Sequence, residues 1–202
     1  MKKNLTTSLK LKILIDMKKF ILFILLAISL GANAQKVKLS RMEQDGRWQI
    51  MTSEKKISLN GAEYSIILKA YVRNGVPDYC LLVSSFYTIP ENAEVLFKLG
   101  NGETLYFPIC NLKVGDISSS YVIGSVIVPN SRKHYISVYD ITEHEIQEME
   151  EFGILKMRVT GGSSYREKEW KKDKIGKFLG KSRQVIEEEM KKYVTKDIWD
   201  GF

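Results

Sequence analysis

Along residues 64–73, YSIILKAYVR, apolar side chains recur at every second position. Tyr64, Ile66, Leu68, Ala70 and Val72 share one parity, and Ser65, Lys69 and Arg73 share the other. Successive side chains of a strand point to opposite faces, so this spacing predicts a strand with one buried side. The next apolar run, residues 79–86, has a different pattern. Tyr79, Leu81 and Val83 lie on one parity and Cys80, Leu82 and Phe86 on the other, so both faces need cover. A central strand is implied, with a C-terminal helix as the natural second cover.

Between residues 47 and 139 the chain reads as short strands separated by turn residues, and helical periodicity begins only after Asp140. Residues 95–99 and 103–109 flank Gly100-Asn101-Gly102. A two-residue Asn-Gly turn would set Lys98 opposite Leu105. A three-residue loop pairs Phe97 with Leu105 and Val95 with Phe107, which keeps apolar residues on one face and is the register expected. Further strands are expected at 121–128 and 134–139. Thr142 followed by Glu145 is a capping-box spacing that opens a short helix ending near Gly153. Residues 154–160 set Leu155, Met157 and Val159 against Lys156, Arg158 and Thr160, a half-buried strand. Residues 165–170 are charged enough to form a protected edge. From Asp173 to about residue 194 a longer helix gathers Ile175, Phe178, Leu179, Val185, Ile186, Met190 and Tyr193 on one stripe, with Glu187–Lys191 and Glu188–Lys192 spaced as ion pairs on the solvated side.

The first 34 residues belong to a different class. Met17-Lys18-Lys19 precedes an eleven-residue apolar block, FILFILLAISL, and Ala32-Asn33-Ala34 supplies a small-x-small cleavage site, the layout of a secretory signal peptide cut before Gln35. Eleven residues rise about 16 Å as a helix, roughly half a bilayer's hydrocarbon thickness, so a retained anchor is not expected. Gln35 rather than Cys at the first mature position argues against a lipoprotein. Met17 is an alternative start. Residues 1–34 are therefore read as signal peptide, 35–46 as an N-terminal lead-in, and 47–202 as a single β-rich domain with its helix at 173–194.

Removing the leader changes the electrostatics. Its six lysines and Asp16 leave 25 basic and 23 acidic residues, so the net charge falls from +7 to +2. The basic excess that would suggest nucleic acid or an anionic membrane resides mostly in the leader, and nucleic acid is excluded as a partner. Only two Cys and four Pro among 202 residues, with 44% apolar content, exclude a cysteine-dense miniprotein and a disordered or collagen-like chain.

No catalytic, cofactor-binding or metal-ligating residue is assigned. Gly176-Lys177-Phe178-Leu179-Gly180-Lys181-Ser182 has three residues between its glycines where a phosphate loop needs four, and the pair is read instead as a close approach of helix to sheet. His144-Glu145-Ile146-Gln147-Glu148 lacks the second imidazole of a zinc-protease helix. His134 shares parity with Ile136 and Val138 and reads as a structural imidazole. Gly161-Gly162-Ser163-Ser164-Tyr165 lacks the last glycine of a nucleophile elbow. A meander over residues 79–109 would hold Cys80 and Cys110 at opposite ends of the sheet, too far apart for a disulfide, as buried free thiols. The ending Lys196-Asp197-Ile198-Trp199-Asp200-Gly201-Phe202 breaks the alternation of a barrel-closing strand, and Trp199 and Phe202 are expected to tuck against the domain.

The leader, the hairpins, the capped helix, the strand Gly153-Ile154-Leu155-Lys156-Met157-Arg158 and the final helix together resemble small exported bacterial β-rich proteins of uncharacterised function. The resemblance is one of layout, and it implies an envelope or secreted location and no activity. The expected fold is α+β and β-rich: a sandwich-like or strongly curved, mainly antiparallel sheet with a short helix and a C-terminal amphipathic helix on one face. The expected role is non-enzymatic binding or structural support in the cell envelope, periplasmic or extracellular, with an envelope protein or an apolar small molecule as partner. Two alternatives stand beside it: an envelope hydrolase using His134 or the 161–165 loop, and a carrier of an apolar molecule held between sheet and helix.

Overall fold

β4 (Ala62–Arg73) carries the alternation read from the sequence. Ala62, Tyr64, Ile66, Leu68, Ala70 and Val72 are buried and the residues between them are not. The computed structural model describes residues 35–123, 126–161 and 163–199. The expected leader at 1–34, Gly162 and the terminal Asp200-Gly201-Phe202 lie outside the described residues, as do the side chains of Tyr193 and Trp199.

One edge of β4 pairs with β5 (Val76–Ser85) along its length. The other edge is shared by two short strands: β3 (Lys55–Leu59) covers its first half and β2 (Trp48–Thr52) its second. At the handover the Thr52 hydroxyl donates to the Leu68 carbonyl at 3.0 Å, satisfying a buried acceptor that neither strand reaches. Residues 35–46, expected as a lead-in, supply β1 (Val37–Met42), which pairs with β2. Its start is tied down where Ser53 N–H donates to the Lys36 carbonyl at 2.8 Å. β8 (Asn111–Ile123) and β9 (Val126–Ile141) complete a seven-stranded antiparallel sheet in the order β1-β2-β4-β5-β9-β8, with β3 beside β4. A second sheet runs β11 (Ser164–Glu169), β10 (Ile154–Gly161), β6 (Glu94–Leu99), β7 (Thr104–Pro108). The protein is thus β-rich, its antiparallel sheet strongly curled, and the C-terminal helix packs against the sheets, as the sequence predicts.

Apolar residues from both sheets and both helices form one buried cluster. Ile50, Leu68, Leu81 and Tyr139 come from the first sheet, and Phe97, Phe107 and Met157 from the second. The rings of Phe97 and Phe107 meet edge-on at 5.9 Å. Ile146 and Met149 come from α1 (Glu143–Phe152), and Leu179 and Ile186 from α2 (Gly176–Trp199). No helix among the described residues is long and apolar enough to cross a membrane.

Several local expectations hold. Phe97 faces Leu105 and Val95 faces Phe107 across the three-residue loop. Thr142 and Glu145 form a reciprocal capping box, with Thr142 N–H donating to Glu145 Oε2 at 2.7 Å and Glu145 N–H to Thr142 Oγ1 at 3.2 Å. The charged strand β11 is an edge, where Glu167 accepts from Arg158 Nε at 2.6 Å and lies 2.9 Å from Lys156 Nζ.

Others are corrected. Residues 121–128 are not one strand: they are the end of β8 and the beginning of β9, with Ile123 opposite Val126. In β10 the register shifts between Ile154 and Lys156, so Ile154 is buried and Leu155 is only half-buried. Gly176 and Gly180 approach α1 rather than the sheet. A Cβ on Gly176 would lie 1.9 Å from the Met149 carbonyl oxygen, and one on Gly180 2.0 Å from Glu150 Cδ. The helix expected from Asp173 begins at Gly176, because Asp173 is its cap. Asp173 Oδ1 accepts from the N–H groups of Ile175 and Gly176 at 3.0 and 2.8 Å, and Oδ2 from that of Lys177 at 2.9 Å. Finally, α2 lies over β1, β2 and β4, so it does not cover the second face of β5.

Candidate binding trough

The uncovered face is built from the residues that alternate with the core. On β4 these include Ile67, Lys69 and Tyr71, and on β5 Cys80 and Leu82. The register sets Lys69 opposite Cys80, Leu82 opposite Val138 and Cys80 opposite Asp140. Ile136 and Val138 of β9 face Lys113 and Asn111 of β8 in the same layer. Curling of the sheet makes this surface a trough of about 1130 Å³, bounded on one side by Tyr106, Phe107 and Pro108 of β7. A neighbouring hollow of about 750 Å³ shares Arg47, Lys69, Tyr71 and Lys113 with it, extending the trough toward the β1–β2 turn.

Leu82, Ile136 and Val138 form a half-buried apolar floor. Cationic and aromatic groups gather beside β2 and β4. Lys69 Nζ lies 4.0 Å from the centroid of the Tyr71 ring and bonds its hydroxyl, while the Arg47 guanidinium lies 4.9 Å from the same centroid. Asp45 accepts from Arg47 Nε at 2.7 Å, and that bond holds its carboxyl below the ordinary aspartate range. Lys113 is exposed and makes no ion pair with any described residue. Acidic groups line it too: Asp78 faces Tyr71 across β4 and β5, Asp140 lies two strands from Lys69 in the same row, and Glu143 and Glu145 stand at the start of α1.

Both cysteines lie beside Asp140, which corrects the expectation that they lie far apart as two buried thiols. Cys80 is buried with its Sγ 3.9 Å from Asp140 Oδ1; Cys110 is exposed, and its Sγ accepts from Asp140 N–H at 3.4 Å. The meander fails because the chain leaves β7 for the first sheet: Cys110 N–H donates to the Val138 carbonyl at 2.8 Å, so β9 runs between the two cysteines. Two inter-strand spacings, roughly 10 Å, exceed the Cα span of a disulfide, and both thiols are free. Burial, reinforced by the Asp140 charge, pushes the Cys80 thiol up to about 11. Desolvation also raises Cys110.

The other residues considered from sequence do not converge. His134 is half-buried on the trough face, its ring 5.0 Å from that of Phe86. His144 Nε2 is 3.5 Å from Glu148 Oε1 on an exposed helix face, and no group of three His, Cys, Asp or Glu able to hold a metal occurs among the described residues. Ser164 donates to the Gly161 carbonyl at 3.3 Å, and Tyr165 lies beneath Arg158 at 4.5 Å. Among the described residues no hydrogen bond links His134 to Ser163 or Ser164. Ser182 is buried and donates to the Phe178 carbonyl at 2.8 Å, in a helix interior rather than a phosphate loop.

Sequence reading expected cover on both faces of β5, with the C-terminal helix on the second, and so missed the trough. Lys69 was legible as an outward residue; that Arg47, Tyr71 and Lys113 join it follows only from the strand order. Comparison with protein-family models, curated proteins and solved structures returns no match.

Proposed function

We propose that the protein is exported and acts by binding, without catalysis, in the cell envelope, with the open face of the seven-stranded sheet as its binding surface. The observation that carries this reading is the trough itself. One face of the sheet is closed by helices and the second sheet, while the other keeps an apolar floor bordered by cationic, aromatic and acidic groups. Concave surfaces with an apolar base and a few placed polar groups are the usual form of a binding site. An apolar floor bordered by both charges suits a partner that carries charges of both signs beside apolar groups, such as a segment of an envelope protein. The continuous cluster between sheet and α2 counts against an apolar carrier site there, because its residues already touch one another. Export is supported by the apolar block, its basic lead and the small-residue site before Gln35.

Two measurements test the reading. The intact mass of the protein recovered outside the cytoplasm should correspond to a chain beginning at Gln35; a mass retaining residues 20–30 sinks the export claim. The recovered protein should retain an envelope component that Lys69→Glu and Leu82→Glu lose and that Lys98→Glu, on the exposed side of β6, keeps. Equal retention by all three removes the trough from the account, and turnover of an ester, peptide or glycan that one polar substitution abolishes replaces binding with catalysis.

A further inference from the structure

Alternation in the second sheet sends Val95, Phe97, Phe107, Met157 and Val159 into the core, so the residues between them form an outer layer. Register places Tyr165, Thr160 and Glu94 in one row across β11, β10 and β6. Arg158, Leu96 and Tyr106 form the next row, across β10, β6 and β7. The two tyrosines therefore stand on opposite edge strands, three strand spacings or roughly 14 Å apart across the sheet. Tyr165 is 55% exposed and Tyr106 52%. Contacts within the layer hold both rings. Glu94 accepts from the Tyr106 hydroxyl through one oxygen and from the Thr160 hydroxyl through the other, the latter at 3.3 Å. The Arg158 guanidinium lies 4.5 Å from the Tyr165 centroid, and its Nε donates to Glu167 at 2.6 Å.

We propose that this layer binds an unbranched, uncharged glycan chain, with sugar rings stacked on Tyr165 and Tyr106 and hydroxyls bonded by Glu94 and Arg158 between them. A sugar ring presents C–H groups on its face and hydroxyls on its rim. The C–H face packs against the negative face of an aromatic ring, and the rim needs polar groups beside it. Carboxylate and guanidinium each offer paired, coplanar hydrogen-bonding positions, which match adjacent hydroxyls. Because neighbours already restrain the tyrosines, little side-chain freedom is lost on binding. Charge and polarity choose between polymers. Glu94, Glu167 and Glu169 balance Lys98, Lys156 and Arg158 on this layer, so it draws in neither a polyanion nor a polycation. Leu96 is the only aliphatic side chain between the two rings, too little for the apolar centre of a protein interface.

Affinity electrophoresis of the protein beginning at Gln35, which contains the whole buried cluster, tests the proposal in gels carrying glycol chitin, hydroxyethyl cellulose or dextran. At least one of these uncharged polymers should retard it relative to a gel without polymer. Tyr165→Ala and Tyr106→Ala should each weaken binding at least about fivefold with an unchanged circular dichroism spectrum, while Tyr165→Phe, which keeps the ring, binds as wild type. Tyr106 also borders the trough, so Leu82→Glu on the trough floor separates the two sites and should bind the glycan as wild type does. Absence of retardation by all of the polymers overturns the proposal, as does undiminished binding by both alanine variants. Loss of binding in Leu82→Glu but not in Tyr165→Ala overturns it as well, and assigns the glycan to the trough.

Discussion

Cys80 and Cys110 share Asp140 but differ in exposure, and that difference is measurable. Cys80 is buried with its thiol pushed up to about 11, so at pH 8 only about one molecule in a thousand carries the thiolate there. An aromatic disulfide reagent at pH 8 should therefore label one thiol per folded molecule, lose that signal in Cys110→Ser, and reach the second thiol only on unfolding. Rapid labelling of two thiols in the native state would contradict the burial of Cys80. A raised thiol favours the folded state while protonated, so its stabilising contribution is complete below the unfolded thiol's value and is lost as pH rises toward about 11. Glu167 has the opposite sign. Hydrogen bonds from Lys156 and Arg158 lower its carboxyl, so its contribution is present above the unfolded glutamate range and is lost as pH falls through the folded value. Denaturation midpoints compared at neutral pH and at a pH below the ordinary glutamate range should show the gap between Glu167→Gln and wild type narrowing at the lower pH. None of this was legible in the sequence, because Cys80 and Asp140 are brought together by pairing of β5 with β9 and the contacts of Glu167 depend on the register of β10 with β11.

Elements differ in how openly the sequence declares them. Tyr64 to Val72 and the Thr142–Glu145 box are local patterns, and local patterns survive folding; Thr142→Ala should cost about 1 kcal/mol in thermal or denaturant unfolding. The three-residue loop at Gly100 was legible because only one register keeps Phe97 and Phe107 on the same face. The shift at Leu155 was not, because strict alternation conceals a bulge that inserts one residue and re-aims those before it. The 121–128 run misled for a different reason: Gly124-Ser125 is itself a two-residue hairpin signal, and reading the flanking apolar residues as one strand passed over it. Gly176 shows a further limit, since its spacing to Gly180 suggested a close approach but not the surface approached. Its missing Cβ would lie 1.9 Å from a backbone oxygen of α1, which cannot yield like a side chain, so Gly176→Ala should destabilise by about 1–3 kcal/mol despite the gain in helix propensity. Lys177→Ala, on the exposed side of the same turn, should stay within about 0.5 kcal/mol of wild type. Equal stability of the two variants would mean that α1 and α2 do not pack at this distance.

At the scale of the whole molecule, the decisive feature is that two sheets and two helices share a single core. Tyr139 and Leu81 belong to one sheet and Phe97 and Met157 to the other, yet they lie in the same buried cluster as Ile146 and Ile186 of the helices. Neither sheet keeps its buried face dry without the rest, so the molecule should unfold as one cooperative unit. Phe97 is the sharpest probe of this coupling, because it is fully buried in the second sheet and holds Phe107 at 5.9 Å. Phe97→Ala removes a buried ring and leaves a cavity, at a cost of about 3–5 kcal/mol. Trp48 is buried in the first sheet, and with Trp170 and Trp199 both replaced by Phe its fluorescence reports on that sheet. In urea, Trp fluorescence and far-ultraviolet circular dichroism should give coincident transitions in that background, and Phe97→Ala should shift both to the same lower midpoint with an unchanged slope. A fluorescence midpoint that stays in place while the circular dichroism transition splits would show that the second sheet comes apart by itself, and the shared core would then have to be divided between two independent layers.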